Sequence, residues 1–294
     1  MDRRHFLRLS GAGLGTALAW PGRTLYAGAE QPGLAILYDA SLCVGCRACQ
    51  MNCKSWNKLP AESTDPLKIY ESPRNLSERT WTLIQLRKQF SEKQRQHRFW
   101  NKQCMHCTDA ACVVVCPTGA MYKHKLGFTA YDESKCNGCG YCTQACPFGV
   151  PHMRTMNMLT GKAKAARCTF CQDRVPLGRK TACVDACPVA ALIMGERLEL
   201  IQEGRKRIAA LKETGFKKAN LYGELEAGGL HRLSVLVDEP AAYALASGIQ
   251  VPPLINFWQR IVHPAGKLAM GATVLGIVIA WFIIRRNIKM EEVE

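Results

Sequence analysis

The sequence lacks the signatures of several common redox and hydrolytic sites. It has no glycine-rich fingerprint for a flavin or a nicotinamide, and no convincing catalytic triad or metal-hydrolase motif. It also lacks Cys-x-x-Cys-His, the motif that attaches a c-type haem. No cysteine precedes residue 43 or follows residue 187. Any chemistry that the cysteines provide therefore belongs to the middle of the chain.

The sixteen cysteines fall into four runs of four. The runs are Cys43, Cys46, Cys49 and Cys53; Cys104, Cys107, Cys112 and Cys116; Cys136, Cys139, Cys142 and Cys146; and Cys168, Cys171, Cys183 and Cys187. The first and third have the spacing of bacterial ferredoxins that hold [4Fe–4S] clusters, and the last three end in Cys-Pro. Eight disulfides would suit a small scaffold without a core, and structural zinc usually takes two Cys-x2-Cys pairs. The spacing therefore predicts iron–sulfur clusters.

A crossing rule divides these cysteines into four sets, because the fourth cysteine of a ferredoxin run binds the other cluster. We apply it to the second and third runs, and to the first and fourth. Set A is Cys43, Cys46, Cys49 and Cys187; set B is Cys53, Cys168, Cys171 and Cys183; set C is Cys104, Cys107, Cys112 and Cys146; set D is Cys116, Cys136, Cys139 and Cys142. We expect each set to hold one [4Fe–4S] cluster, with the four clusters in a line and no catalytic residue.

Acidic residues are scarce beside basic ones. The whole chain has 39 Lys and Arg against 24 Asp and Glu, a net charge of +15. Residues 1–29 hold four Arg and one Asp, so the rest of the chain has 35 basic and 23 acidic residues, a net charge of +12. This excess is typical of proteins that bind nucleic acid or an acidic membrane surface. Four clusters with their thiolates would, however, carry roughly −8, and basic residues flank the cysteines: Arg47, Lys54, Lys135, Arg167, Arg174, Arg179 and Lys180. We favour compensation of cluster charge over nucleic-acid binding.

The pattern predicts an α+β fold: two tandem ferredoxin-like units of the bacterial two-cluster type, with insertions, over residues 30–195, plus one C-terminal transmembrane helix. A short strand is expected at 34–38 and a helix at 48–58. Residues 59–102 form an insertion, whose Tyr70, Trp81 and Trp100 either pack over the clusters or contact a partner. The basic loop 172–182 either contacts a partner or shields the terminal cluster.

Residues 196–253 are expected to form a helix and a linker region. Residues 196–214 have a helical pattern, with Leu198, Ile201, Ile208 and Leu211 on one face and Gly215 as the C-cap. A strand is predicted at 233–237. Residues 238–253 contain three prolines, which favours a linker.

The N-terminus has the features of a twin-arginine signal peptide over residues 1–29. Arg3 and Arg4 precede a mildly apolar stretch, and Ala27-Gly28-Ala29 is an Ala-x-Ala cleavage site. A twin-arginine route allows export of a folded protein whose clusters were inserted in the cytoplasm. Whether the site is cleaved, or the protein travels with a partner, stays open.

The C-terminal part predicts a membrane anchor over residues 254–284. Leu268 to Ile284 contains no charged residue, and the transmembrane helix is expected over about 265–284. Arg285, Arg286 and Lys289 follow in a tail of residues 285–294, so the positive-inside rule places that tail in the cytoplasm. The cluster domain is then expected to face the periplasm. His263 beside the membrane either contacts a haem or quinone of a partner or is an interfacial polar residue.

Several motifs resemble the four-cluster β subunits of membrane-bound respiratory oxidoreductases, of the periplasmic formate dehydrogenase and nickel–iron hydrogenase types. They are Asp39-x3-Cys43-Val44-Gly45-Cys46-x-Ala48-Cys49, Gln103-Cys104-Met105-His106-Cys107, Cys139-Gly140-Tyr141-Cys142 with Cys146-Pro147-Phe148, and Cys171-Gln172-Asp173-Arg174-Val175. The resemblance runs from about residue 34 to 284 and includes Leu221-Tyr222-Gly223, Gly228-Gly229 and Phe257-Trp258. Some such subunits replace a ligand cysteine with tryptophan, whereas all sixteen cysteines are present here.

The resemblance implies an electron relay between two partners. One is a catalytic subunit, either a molybdenum or tungsten formate dehydrogenase or a nickel–iron hydrogenase; the other is a membrane cytochrome b or quinone-reducing subunit, in anaerobic respiration. The twin-arginine signal is similar to the hydrogenase type, while the third and fourth runs are more similar to the formate dehydrogenase type. The alternative is a self-sufficient iron–sulfur redox enzyme or a cluster-based sensor.

Overall fold

The computed structural model describes residues 32–62, 67, 72–88, 97–251, 257 and 261–287. Its strands are β1 (Leu34–Asp39), β2 (Thr82–Lys88), β3 (His97–Gln103), β4 (Met121–Lys123), β5 (Thr129–Tyr131), β6 (His152–Asn157), β7 (Lys162–Ala166), β8 (Leu192–Glu196), β9 (Asn220–Tyr222) and β10 (Arg232–Leu236). Its α-helices are α1 (Ala48–Trp56), α2 (Ala111–Val114), α3 (Tyr141–Ala145), α4 (Ala182–Asp185), α5 (Arg197–Glu213) and α6 (His263–Asn287). The expected signal peptide and Tyr70 lie outside the described residues.

A four-stranded sheet joins the two ends of the cysteine-rich region. Its strand order is β8-β1-β10-β9, with β1 antiparallel to β8 and parallel to β10. Strand β1 leads into the first cysteine run and β8 follows the fourth run. The sheet therefore brings the first and fourth runs together, although more than 100 residues separate them.

The two faces of β1 pack against different layers. Ala35 and Leu37 contact α5 through a cluster that contains Leu200, Ile201 and Ile208. The alternate residues of β1 point into the larger core beside the cysteines, which also contains Trp100 and Phe128. Because both faces are covered, β1 is almost continuously apolar, as a central strand requires.

Helix α5 confirms the predicted helix and three of the four residues of its predicted face. Ile201 and Ile208 are buried, and Leu211 packs against the same cluster. Leu198 is instead 42% exposed, and Leu200 and Gly204 are buried. Arg197, in the first turn, is also fully buried and donates from Nε to the Leu230 carbonyl over 2.9 Å. A buried arginine was not part of the predicted apolar pattern.

The inner ferredoxin-like unit is inserted within the outer one. The antiparallel pair β4–β5 connects the second and third cysteine runs, and the hairpin β6–β7 follows the third run. These elements lie in sequence between the halves of the outer unit, which contain α1 and α4. The two units are therefore nested along the chain.

The hairpin β2–β3 places the second half of the expected insertion in the core. Trp100 is 1% exposed and packs edge-on against Tyr38 and Tyr243, with ring centroids 5.7 Å apart in both pairs. The hydroxyl of Tyr38 donates to the Phe99 carbonyl over 2.7 Å. For Trp100, packing within the chain is the interpretation that the structure supports.

The C-terminal segments differ in their packing. In the expected linker, the described residues up to 251 include a 3-10 helix at Pro240–Tyr243, and Tyr243 is buried. This part therefore packs on the core. Within the part of the chain that the structure describes, one helix is long and apolar enough to cross a membrane, over Pro264–Arg286, and none of it is buried.

Candidate functional site

Three small cavities are each lined by four cysteines. The first is lined by Cys43, Cys46, Cys49 and Cys187. The second is lined by Cys116, Cys136, Cys139 and Cys142, and the third by Cys104, Cys107, Cys112 and Cys146. These groups have the composition of sets A, D and C. Each combines three cysteines of one run with the last cysteine of another.

Set B also converges, deep in the core. Burial raises the pKa of Cys53 to about 12, and repulsion from Cys183 and Cys171 adds to this effect. Cys168 is close enough to Cys53 and Cys183 for the same repulsion to act between them. The structure therefore brings together cysteines of both outer runs, as the crossing rule requires.

The spacing of the thiols fits a polynuclear group better than a single ion. Among the described residues, which include all sixteen cysteines, no three Cys, His, Asp or Glu side chains are arranged to hold one metal ion. All sixteen cysteines are free thiols. Four soft sulfur donors around a cavity, too widely spaced for one ion, suit an iron–sulfur cube.

Burial raises the pKa of several of these thiols. It raises the pKa of Cys112 to about 12 and that of Cys142 to about 11, and neighbouring cysteines of the same set add to the rise. Binding of a cationic core would reverse this balance, because metal ligation requires thiolates and releases protons. Occupancy by such a core and deprotonation of the thiols would therefore go together.

Two glycines let the ligand loops approach neighbouring segments. Gly45 has φ +71°, and a Cβ atom there would lie 2.3 Å from Cε1 of Phe99. Gly138 has φ +80°, and its Cβ would lie 2.3 Å from the Ala163 carbonyl oxygen. A side chain at either position would meet both a strained backbone and an occupied space.

Elements outside the ferredoxin-like units brace the loop that carries set A. Asp39 ends β1 and accepts a hydrogen bond from the Ser41 backbone N–H over 2.8 Å. Its other carboxylate oxygen accepts from Arg207 of α5 over 3.0 Å. The loop that leads to Cys43 is thus fixed to a helix far away in sequence.

The long loop of the fourth run packs between the two units. The side-chain amide of Gln172 exchanges hydrogen bonds with both backbone groups of Tyr131, over 2.9 and 2.7 Å. Arg174 stacks on Trp56 at 4.3 Å and pairs with Asp185 over 2.9 Å. Of the two expectations for the loop 172–182, these contacts support shielding of set B. Leu177, at the turn of this loop, is 76% exposed.

The four sets form a row in the order A, B, C, D. Cys49 of set A and Cys183 of set B are close enough for their thiolate forms to repel each other, and so are Cys168 of set B and Cys104 of set C. Cys112 of set C is linked in the same way to Cys142 of set D.

Solvent reaches the row at its ends. Of the sixteen cysteines, Cys46 of set A and Cys139 of set D are exposed, and the others are buried or half-buried. Sets B and C therefore lie inside the protein, while sets A and D each present one thiol to the surface.

Two fully buried arginines lie beside the sets. Arg167, which the sequence pattern singled out, donates from Nη1 to the sulfur of Cys104 over 3.2 Å. Arg232 was missed; it donates from Nη2 to Oδ1 of Asn101 over 2.7 Å, and Asn101 donates to the sulfur of Cys49 over 3.2 Å. No sequence signal pointed to these two hydrogen bonds, because Arg232 and Asn101 are 131 residues apart and Asn101 and Cys49 are 52 residues apart.

Comparison with known proteins agrees with this geometry. Two models of the 4Fe-4S dicluster domain family match, over residues 42–120 and 95–197. The formate dehydrogenase iron-sulfur subunit of Haemophilus influenzae is 33% identical over 270 residues, which cover 89% of this chain and 83% of that protein. The chain belongs to this family of iron–sulfur subunits. It therefore carries 4Fe-4S dicluster domains.

Other relatives in the family come from two kinds of complex. The nitrate-inducible formate dehydrogenase iron-sulfur subunit of Escherichia coli is 31% identical, over 89% of this chain and 88% of that protein. The hydrogenase-2 operon protein HybA of Escherichia coli O157:H7 is 30% identical, over 98% of this chain and 96% of that protein. The two formate dehydrogenase subunits have slightly higher identity, 33% and 31% against 30%. The HybA protein matches a longer part of the chain, 98% against 89%.

Proposed function

We propose that this chain is a non-catalytic electron-transfer subunit that holds four [4Fe–4S] clusters, one in each of sets A to D. The observation that carries the proposal is the row, in which four sets of four thiols follow one another and solvent reaches the two ends. A relay needs protected interior sites and accessible ends. The family membership supports the same function.

Bound [4Fe–4S] clusters supply one-electron transfer. The protein residues hold the clusters, exclude water from the interior and compensate their negative charge. Phe128 and Phe170 stack at 4.7 Å in the core beside sets B and C, which keeps this region dry. Arg167 and Arg232 place positive charge where water cannot reach. Clusters at A and D are then accessible to partners.

The partners that we propose are the two implied by the resemblance. One is a catalytic oxidoreductase subunit, a formate dehydrogenase with molybdenum or tungsten or a nickel–iron hydrogenase. The other is an integral membrane cytochrome b or quinone-reducing subunit. Relatives named for formate dehydrogenase and for hydrogenase-2 support both alternatives for the first partner.

We also propose that the chain spans the inner membrane once, with the cluster domain in the periplasm and the C-terminus in the cytoplasm. The apolar helix over Pro264–Arg286 supports an anchor, and the arginines at its end support the orientation. Residues 1–29 are proposed as the twin-arginine signal. A lipid bilayer is then a partner, and nucleic acid is not.

The experiment is to purify the membrane complex from cells that express a tagged chain. We expect about 16 iron atoms per chain, four distinct reduced-cluster signals in electron paramagnetic resonance, and a co-purifying metal that identifies the catalytic partner. Molybdenum or tungsten indicates formate dehydrogenase, and nickel indicates hydrogenase. Iron near half of that content, or turnover of formate or hydrogen by the isolated chain, would contradict the proposal.

A further inference from the structure

Arg167 lies at the centre of the row, between sets B and C. It follows β7, directly precedes Cys168 of set B, and is 1% exposed. Its Nη1 donates to the sulfur of Cys104 over 3.2 Å, and its Nη2 donates to the Thr129 carbonyl over 2.7 Å. The planar guanidinium is thus held by one bond to a ligand of set C and one to the backbone of β5.

The charge of Arg167 is directed at thiols. Within the described residues, no carboxylate forms an ion pair with this side chain. Its Nη1 is bonded to the sulfur of Cys104, a member of set C, and its Nη2 is bonded to a backbone carbonyl. The guanidinium therefore contacts set C, although Arg167 is next to Cys168 of set B in the sequence.

Set A receives a different kind of hydrogen bond. The donor to Cys49 is the neutral amide of Asn101, over 3.2 Å. The cation behind that amide, Arg232, also lies over the ring of Tyr38 at 5.1 Å. At set A the positive charge acts through an intermediate group, whereas at set C it contacts the sulfur itself.

The position of set C makes this contact important. An electron that arrives at a buried cluster adds negative charge in a region of low dielectric constant, which disfavours reduction. The end sets have an exposed thiol each, so water offsets part of that cost there. Set C has no exposed thiol. Without a compensating cation, a cluster in set C would have a low reduction potential, and electron transfer through the interior of the row would be hindered.

We propose that Arg167 is a positioning residue that raises the reduction potential of the cluster in set C and so removes an interior barrier from the row. This inference rests on the proposed function. The hydrogen bond to Cys104 and the positive charge both stabilise the reduced form more than the oxidised form. The Thr129 carbonyl fixes the guanidinium so that this donor stays aimed at the sulfur.

The test is a redox titration of the purified complex, followed by electron paramagnetic resonance. The Cys112→Ser variant identifies the signal of set C. In Arg167→Gln, we expect that signal to move to a more negative midpoint potential, while the other three move less. Arg154→Gln is the matched control, because Arg154 is a half-buried arginine on β6 that pairs with Glu133 and makes no hydrogen bond to a cysteine sulfur among the described residues. It should leave all four potentials unchanged.

A second variant covers the case in which Arg167→Gln loses iron. Arg167→Lys keeps the charge but has one donor group to share between Cys104 and Thr129, so we expect a smaller negative shift at full iron content. An unmoved set C signal in either iron-replete variant overturns the inference, as does an equal shift of all four signals. Selective loss of iron from set C in both variants also overturns the inference, because Arg167 would then be required to assemble or retain that cluster and not to set its reduction potential.

The two proposals fail in different ways. Fewer than four signals, or iron near eight atoms per wild-type chain, contradicts the four-cluster assignment itself. Four signals with full iron and no response to Arg167 leave the electron-transfer function intact and contradict the inference alone.

Discussion

The inner and outer ferredoxin-like units hold the same kind of thiol set but are assembled differently. The inner unit, with sets C and D, is built largely from consecutive residues between Cys104 and Ala166, and its strands form the two short pairs β4–β5 and β6–β7. The outer unit, with sets A and B, combines distant segments, and β1 joins a four-stranded sheet with α5 behind it. Local contacts support the first unit, and long-range packing supports the second.

The difference indicates that a substitution in one unit should destabilise that unit and release its iron before it affects the other. The outer unit depends on residues 197–236, which contain none of its ligands but provide its covering helix and two strands. The inner unit depends on tight turns between its own runs.

The helix behind the sheet should be the weakest point of the outer unit. Leu200 is buried against β1, so Leu200→Ala removes core volume and should destabilise by about 2–5 kcal/mol. Thermal unfolding followed by iron release is the measurement, and iron of sets A and B should leave first. Leu198→Ala on the same helix is the control, because Leu198 is 42% exposed and should cost about 0.5 kcal/mol or less. Equal costs would refute the importance of the outer packing.

A ligand-loop glycine should affect the inner unit alone. Gly138→Ala places Cβ against the Ala163 carbonyl in a left-handed conformation, so set D should lose its iron while sets A and B keep theirs. Gly140 also has positive φ but nothing within 4 Å of its Cβ position. Gly140→Ala should therefore cost only the backbone strain of about 1–2 kcal/mol. Iron content and the set D resonance signal distinguish the two; full retention of iron in Gly138→Ala would count against the predicted clash.

His231 connects the two units and should make their junction sensitive to acid. Its Nδ1 bonds the Leu34 carbonyl over 2.9 Å, and its ring lies against Gly127 of the inner unit. Burial, with Lys123 and Arg197 nearby, lowers its pKa from 6.5 to about 4. The folded state then binds this proton less readily than the unfolded state, so stability is complete above pH 6.5 and falls as the pH drops toward 4.

The size of this effect can be separated from other acid effects. At pH 5.5 the wild type should lose about 1 kcal/mol relative to pH 7.5 through His231. The His231→Gln variant should lack this component, whatever else acid does to the protein. Thermal melting of both proteins at the two pH values gives the difference directly, and parallel pH dependences would show that His231 makes no contribution.

The ion pair on the loop of set B should matter least. Asp185 pairs with buried Arg174 over 2.9 Å, but its own side chain is 55% exposed. Solvent screens such a pair, so Asp185→Asn should cost less than about 1 kcal/mol and leave the iron content unchanged. Thermal melting at low and high salt is the measurement. A loss comparable with that of Leu200→Ala would mean that the loop, and not the sheet, stabilises the outer unit.

Much of this protein follows from the sequence by itself. Cysteine spacing predicted iron–sulfur clusters and the membership of sets A to D, because ligand geometry imposes short, repeated intervals on the chain. The apolar stretch after Pro264 predicted a helix long enough to span a membrane, because bilayer thickness sets its length. Both features are local, so they appear directly in the order of residues.

The tertiary structure alone decided the order of the sets, the hydrogen bonds that connect Arg232 through Asn101 to Cys49, and the burial of Arg197 at the start of α5. Each depends on contacts between residues far apart in the chain, or on a polar side chain that takes an apolar position. Arg197 is such a side chain, since the Leu230 and Glu224 carbonyls accept its hydrogen bonds and allow it to be buried. The membership of the four thiol sets could be predicted from spacing; the charges that surround them depend on how the two nested units pack.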